Sequence, residues 1–398
     1  MSLIFTSLIY TLAFLILTAK ELITDKYDHD IDQFMYFGSR LLHGELIWTN
    51  EFDDKSPVLQ FIFSLPAAAK STNIFVVITL ITSLIASYLG YLMLRDIISN
   101  SKLKINKTDE NSILYFGTIF YLILLVCIYG SLHHINAISS SLCLITIALS
   151  YLNKTIKSSL LLNISAITGA ISISIRPYYL MNIIIIPLWL IIRERQFTRH
   201  RKEVSIINRY LLPIKSQLNW IVILGLYIIL FNITPYLLTG HLADFIYGIK
   251  LNSIDYVNHN IFERQYINIG RNPILYPAIM IMILLPTIRI ILKDIIKNYY
   301  RRKEKKHLSL YRIDIDIVFF GIINPILLEI MFYKKHFFGH YFTLFSPYIL
   351  ICTVILLAIV KRIYTLIHEF TIFKNILKNI FIILLITCLI TNQSISKA

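Results

Sequence analysis

Eleven runs of apolar residues, most of them uninterrupted by charge, constrain this chain more than any motif does. They lie near 3–19, 73–94, 112–130, 135–152, 159–175, 178–192, 219–238, 274–292, 315–333, 342–360 and 379–393. A helix rising about 1.5 Å per residue needs about 20 apolar residues to cross about 30 Å of hydrocarbon, and the runs are close to that length. No water-soluble core of 398 residues could enclose them all: 56% of the chain is hydrophobic and 15% charged, against roughly 25% charged in ordinary soluble domains. The expectation is an all-α, polytopic integral membrane protein of about eleven transmembrane helices, one transmembrane domain spanning 1–398. Residues 159–192 would read as one run but for Arg176-Pro177, and a charge followed by proline predicts a tight turn between two helices.

Charge between the runs alternates. The segments 95–111, 153–158, 193–217, 289–316 and 361–378 hold 26 of the 38 Lys and Arg residues, whereas segment 20–72 holds five basic and nine acidic residues. An excess of Lys and Arg marks the cytoplasmic side, so the five basic segments and the N-terminus are expected inside the cytoplasmic membrane. Segment 20–72 and the C-terminus are expected outside. The first run lacks a basic leader and a small-residue cleavage pattern and reads as a retained span. The net charge of +15 would suggest nucleic acid as a partner in a soluble protein. Its confinement to these segments, including the polybasic stretches Arg193–Lys202 and Arg301–Lys306, is what membrane orientation demands. Cys127, Cys143, Cys352 and Cys388 all lie within apolar runs, where a small soft side chain packs well, and their spacing suggests neither disulfide nor metal.

Chemistry is therefore expected on the outer face, where segment 20–72, the turn at Arg176, segment 239–273 and residues 334–341 meet. Segment 20–72 carries Asp28, Asp30 and Asp32 at alternate positions, then Leu41-Leu42-His43-Gly44, then Phe52-Asp53-Asp54-Lys55-Ser56-Pro57. Phe34, Phe37, Leu41 and Leu42 fit helical spacing, which predicts an amphipathic helix on the membrane surface. Residues 58–69 form another apolar stretch, too short to span. Carboxylates held near a low-dielectric boundary have raised pKa values, which suits a general base. The overlapping Asp-x-Asp pairs would equally permit a divalent cation or simply keep the loop outside. Segment 239–273 mixes Asp244, Asp255, Glu263, Arg264 and Arg271 with Tyr247, Tyr256, Phe262 and Tyr266, as a belt at the lipid headgroups does.

The order Asp30, Phe34, Tyr36, Gly38, Leu41-Leu42, Gly44, then Lys55-Ser56-Pro57, resembles the first external loop of polytopic glycosyltransferases of the GT-C fold, among them the protein O-mannosyltransferases and the aminoarabinose transferases. In that family an Asp after the first span precedes a leucine-leucine-x-glycine pattern, and a Lys-x-Pro element follows. Asp30, fourteen residues before Gly44, suits the family's catalytic Asp better than Asp28 or Asp32. Arg176-Pro177-Tyr178 is similar to a basic residue and proline between middle spans, and His336 to Phe342 with Pro347 is similar to a late His-Tyr-Phe element. Only about five residues follow the last span, so the C-terminal soluble domain of larger members is expected to be missing.

The resemblance implies transfer of a sugar from a polyprenyl-phosphate carrier to an acceptor hydroxyl on a glycan, lipid or protein. Asp30 would be the base. Positive charge is needed where the polyprenyl phosphate departs, and Lys55, Arg176, Lys334, Lys335 and His340 are the cations and donors expected on that face. Asp28, Asp32, Asp53, Asp54 and Tyr341 complete the expected substrate-binding set, without a dedicated metal ligand set. Each has a plainer reading. Lys55 beside Asp54 would make an exposed ion pair, Arg176 would snorkel to the interface, and His336 with His340, four apart, lacks a third metal ligand. Two other classes fit the same outward charges: a carrier or flippase of lipid-linked saccharides, and a membrane anchor whose external loop docks partners.

Overall fold

The computed structural model describes residues 29–49, 56–100, 106–127, 134–156, 158–198, 206–258, 319, 323, 324, 327 and 343–367. All regular secondary structure among them is helical. The runs at 3–19, 274–292 and 379–393, and nearly all of 315–333, lie outside the described residues.

Helix α1 (His29–Leu42) is the amphipathic helix that the spacing in segment 20–72 predicts. Its buried side is Ile31, Phe34, Phe37 and Gly38, with Leu41 half-buried; Leu42, expected on that side, is 52% exposed. Gly44 stops the helix with a φ of 83°, a conformation glycine adopts without steric cost. The Gly44 N–H donates to Leu41 O at 2.9 Å and the Glu45 N–H to Arg40 O at 3.0 Å. The leucine-leucine-x-glycine pattern is thus a helix-stop device. Pro57 then opens α2 (Val58–Ala68), where its missing N–H costs nothing.

Helices α3 (Asn73–Asn100), α4 (Lys107–Cys127), α5 (Ile135–Ile156) and α6 (Ser159–Ile175) follow. Arg176, extended at φ −137° and ψ 95° ahead of Pro177, ends α6, and a 3₁₀ turn at Pro177–Tyr179 starts α7 (Leu180–Thr198). The expected break within 159–192 is therefore present. Helix α8 (Ile206–Asn232) stops before the expected end at 238: Pro235 cannot donate back along the helix, and α9 (Thr234–Thr239) begins there. Segment 239–273, expected to be a loop, is helical over its first half as α10 (Leu242–Asn258). The last described helix is α11 (Ser346–Ile367).

Among the described residues two helical stretches, Asn73–Ser99 and Ile135–Asn153, are long and apolar enough to cross a membrane. They do different jobs. The apolar window of α5 is 94% buried and forms the axis of the bundle, whereas that of α3 is 44% buried. Val77, Ile81, Ile85 and Tyr88 on α3 make an exposed stripe, and Leu218, Val222, Leu226 and Leu230 make another on α8. Such stripes are rare on soluble surfaces. Together with the two long apolar helices they indicate a protein, helical throughout its described secondary structure, that associates with a membrane.

Helix contacts within the bundle use small hydroxyl residues rather than interlocked aliphatics alone. Ser139 Oγ donates to Ser172 O at 3.1 Å and Ser172 Oγ to Ser139 O at 2.9 Å, clamping α5 to α6. Thr146 and Thr168 meet at 2.9 Å on the same pair of helices, and Trp220 Nε1 of α8 donates to Ser165 Oγ at 2.8 Å. Hydroxyl and small side chains of this kind let helices approach closely where no hydrophobic drive separates helix from lipid.

Among the described residues the buried side chains form two cores. The larger joins α3 to α8 and α11 around α5. The smaller caps one end of the bundle: Ile31, Phe34 and Phe37 of α1 and Phe63 of α2 pack with Phe75 at the start of α3, Ile135 at the start of α5, Ile175 at the end of α6, Tyr236 of α9 and Phe245 of α10.

Candidate functional site

The cap is organised by one buried amide. Gln60 Oε1 accepts the Ile47 N–H at 2.8 Å, and its Nε2 donates to Phe37 O and to Glu45 O, both at 3.2 Å. One side chain thereby ties α1, the turn after it and α2 together, satisfying the buried Ile47 N–H and Phe37 carbonyl, which could find no water there. Arg40 closes the same turn through Nε to Glu45 Oε2 at 2.6 Å. Gly38 lies against the Phe63 carbonyl so closely that a side chain would have no room.

Trp48 is the strained residue of the cap. Its φ of 72° lies in the left-handed region, which costs a non-glycine residue about 1–3 kcal/mol. Packing offsets that cost: the ring stands 5.6 Å from Phe245, 6.3 Å from Tyr236 and directly on Gly248, where a Cβ would come within 2.5 Å. The Tyr236 hydroxyl, beyond the end of α8, donates to Ile47 O at 2.6 Å. Burial foremost, and then the Asp244 carboxylate, raise the Tyr236 phenol well above its ordinary range, so it stays a donor. Trp48 is followed after Thr49 by the segment that carries Asp53, Asp54 and Lys55.

Ser56, the middle residue of the Lys-x-Pro element, connects this cap to the arginine turn. Its Oγ donates to Asn232 Oδ1 at 3.2 Å, and Asn232 Nδ2 donates to Ser174 Oγ at 2.7 Å, two residues before Arg176. Arg176 is 8% exposed, and its Nε donates to Oδ1 of the fully buried Asn136. It does not snorkel. Three residues later, Tyr179 OH donates at 2.6 Å to Leu344 O, just after the late His-Tyr-Phe stretch.

The expected site residues thus fall into three groups. Arg176 and the backbone of Asp30 lie at the capped end, Asp30 in the first turn of α1, one turn ahead of the buried Phe34. Asp32, in the same turn, is exposed. Asp28, Asp53, Asp54, Lys55, Lys334, Lys335, His340 and Tyr341 lie outside the described residues. His134 takes a structural role: its Nδ1 accepts the Asn136 N–H at 3.1 Å at the start of α5. Among the described residues no three His, Cys, Asp or Glu side chains converge as a metal site would require.

Beneath Arg176 lies a buried polar column that sequence reasoning missed. Ser141 meets Ser83 at 3.0 Å and the Tyr121 hydroxyl at 3.2 Å, Cys143 meets the Tyr348 hydroxyl at 3.7 Å, and Asn182 donates to Asn324 O at 2.8 Å. The signal was there: Ser139-Ser140-Ser141, Asn136 and Asn182 interrupt otherwise apolar runs.

No protein-family model matches the chain, and neither the curated proteins nor the solved structures gave a match.

Proposed function

We propose that the chain is a polytopic glycosyltransferase of the cytoplasmic membrane, with about eleven spans and a GT-C-like arrangement. It moves a hexosyl or pentosyl group from a polyprenyl-phosphate carrier to an acceptor hydroxyl on the outer face. The observation that supports this most is the convergence at one end of the bundle of α1 with Asp30 in its first turn, the Ser56-Pro57 start of α2 and the buried Arg176. In the step proposed, the acceptor oxygen attacks the anomeric carbon while its proton passes to the Asp30 carboxylate. The bond from that carbon to the phosphate oxygen breaks, and polyprenyl phosphate leaves with the electron pair. Arg176, with Lys55, Lys334 and Lys335, would meet the charge on that leaving phosphate, and His340 and Tyr341 would donate to sugar or phosphate. A guanidinium already removed from water does this more strongly than an exposed one.

A carrier reading is the poorer of the two. Carriers usually place ionisable groups near mid-depth, whereas Arg176, the one Asp, Glu, Lys or Arg side chain buried among the described residues, stands at a bundle end. The test is full-length protein in sealed vesicles with radiolabelled polyprenyl-phosphate sugars and a membrane and glycan extract. Label in a new covalent product supports transfer. Label that crosses the vesicle wall still attached to its lipid would replace this reading with transport.

A further inference from the structure

The other end of α3 and α4 holds a groove that the proposed transfer does not use. Its volume is about 580 Å³ and it is lined by Tyr91, Arg95, Ser99, Lys107, Glu110, Asn111 and Tyr115. Phe75 of the cap and Arg95 are twenty residues apart on one helix, so the groove lies about 30 Å from the cap.

Its floor is aromatic: the Tyr91 and Tyr115 rings stack at 5.5 Å with 16° between their planes. The Arg95 guanidinium lies over Tyr91, 5.9 Å from the ring centroid. Stacking occupies its face and the Tyr91 hydroxyl engages one N–H, and the rest of its five-donor edge is left to donate. Lys107 opens α4 and has no ion pair among the described residues. At that helix start the Asp109 N–H is taken by Asn106 Oδ1 and the Glu110 N–H by Asn106 O, which leaves the first N–H groups and the positive end of the helix dipole beside Lys107. Glu110 is engaged by Ser99, whose Oγ donates to Oε1 at 2.8 Å. Two cations against one carboxylate leave the groove one positive charge.

Position identifies the ligand class. The exposed apolar stripe of α3, Val77, Ile81, Ile85 and Tyr88, continues at helical spacing into Arg95 and Ser99, both exposed. Acyl chains lying along that stripe would bring a singly charged phosphodiester to the groove, at the depth where the apolar run ends. We propose that the groove binds the phosphodiester headgroup of an anionic phospholipid, its phosphate held between Arg95 and Lys107.

Native mass spectrometry of the full-length protein, released from a neutral detergent, tests this with phosphatidylglycerol, diacylglycerol of the same chains and glycerol 3-phosphate. The expected result is retention of phosphatidylglycerol but not diacylglycerol, and a loss of about tenfold or more in affinity for Arg95→Gln/Lys107→Gln. Arg95→Lys/Lys107→Arg, which keeps both charges but not the stacked guanidinium, should bind more tightly than the neutralised pair and less tightly than wild type, which separates lost binding from lost folding. Arg201→Gln/Lys202→Gln removes the same charge from another basic segment and should bind like wild type. Equal losses in the two neutralised pairs would overturn the site in favour of diffuse attraction to a basic surface. Glycerol 3-phosphate binding as tightly as the lipid would overturn the lipid as its source.

Discussion

Arg176 and Arg95 both stand at or near the ends of apolar helices, and they live in opposite surroundings. Arg176 is 8% exposed, donates to a fully buried asparagine and sits under a cap of two short helices. Arg95 is exposed, lies over a tyrosine ring, and borders an open groove near the solvated ion pair of Lys361 with Asp109. Burying a guanidinium costs several kcal/mol unless it is well partnered, so a fold that encloses one is retaining it for a reason that solvated charge does not require. The capped end is built to hold charge away from water. The open end is built to meet water and headgroups.

The sharpest way to break that contrast is Asp30→Asn. If the capped end does the chemistry, sugar transfer falls roughly 100- to 10,000-fold, while helix content by circular dichroism stays the same. Arg176→Met comes next. It should lower transfer by roughly 100-fold and, by taking one hydrogen-bond donor from the buried Asn136 amide, cost about 1–3 kcal/mol of stability, visible as a lower melting temperature in detergent. Arg176→Lys should recover part of the transfer.

Gly38→Ala probes the cap without touching a charge. The new Cβ would fall on the Phe63 carbonyl, which is main chain and cannot swing aside, so the cost is about 1–3 kcal/mol. Limited trypsin digestion should cut more readily at Arg40. The smallest effect belongs to the open end. Lys361→Ala removes a pair at 3.1 Å whose side chains are 32% and 25% exposed, worth under about 1 kcal/mol and less at high salt, and it should leave transfer unchanged.

The elements of this fold were largely legible in the sequence because their signals are local. Phe34 and Phe37 at helical spacing announce α1, Gly44 its stop, and Arg176-Pro177 the break between α6 and α7. The exposed side of Leu42 was not legible, since Ile31 and Gly38 fill the face that it would otherwise complete. The helical form of α10 was not legible because the polar residues Asp244, Asn252 and Asp255 break its apolar pattern, and its packing depends on Trp48, some two hundred residues earlier, lying on Gly248. The site was half legible. Arg176 was visible as a charge between spans, but its burial depends on Asn136, forty residues earlier, and the Ser56–Asn232–Ser174 bridge joins three segments that no sequence spacing connects.

Whether the capped end does the chemistry is decided by release of free polyprenyl phosphate from a panel of polyprenyl-phosphate sugars. Purified wild type would be compared with Asp30→Asn and Lys361→Ala, in the presence of a membrane and glycan extract. Wild type and Lys361→Ala should release polyprenyl phosphate, and Asp30→Asn almost none. Undiminished release by Asp30→Asn, in protein of normal abundance and helix content, would contradict that role of the capped end.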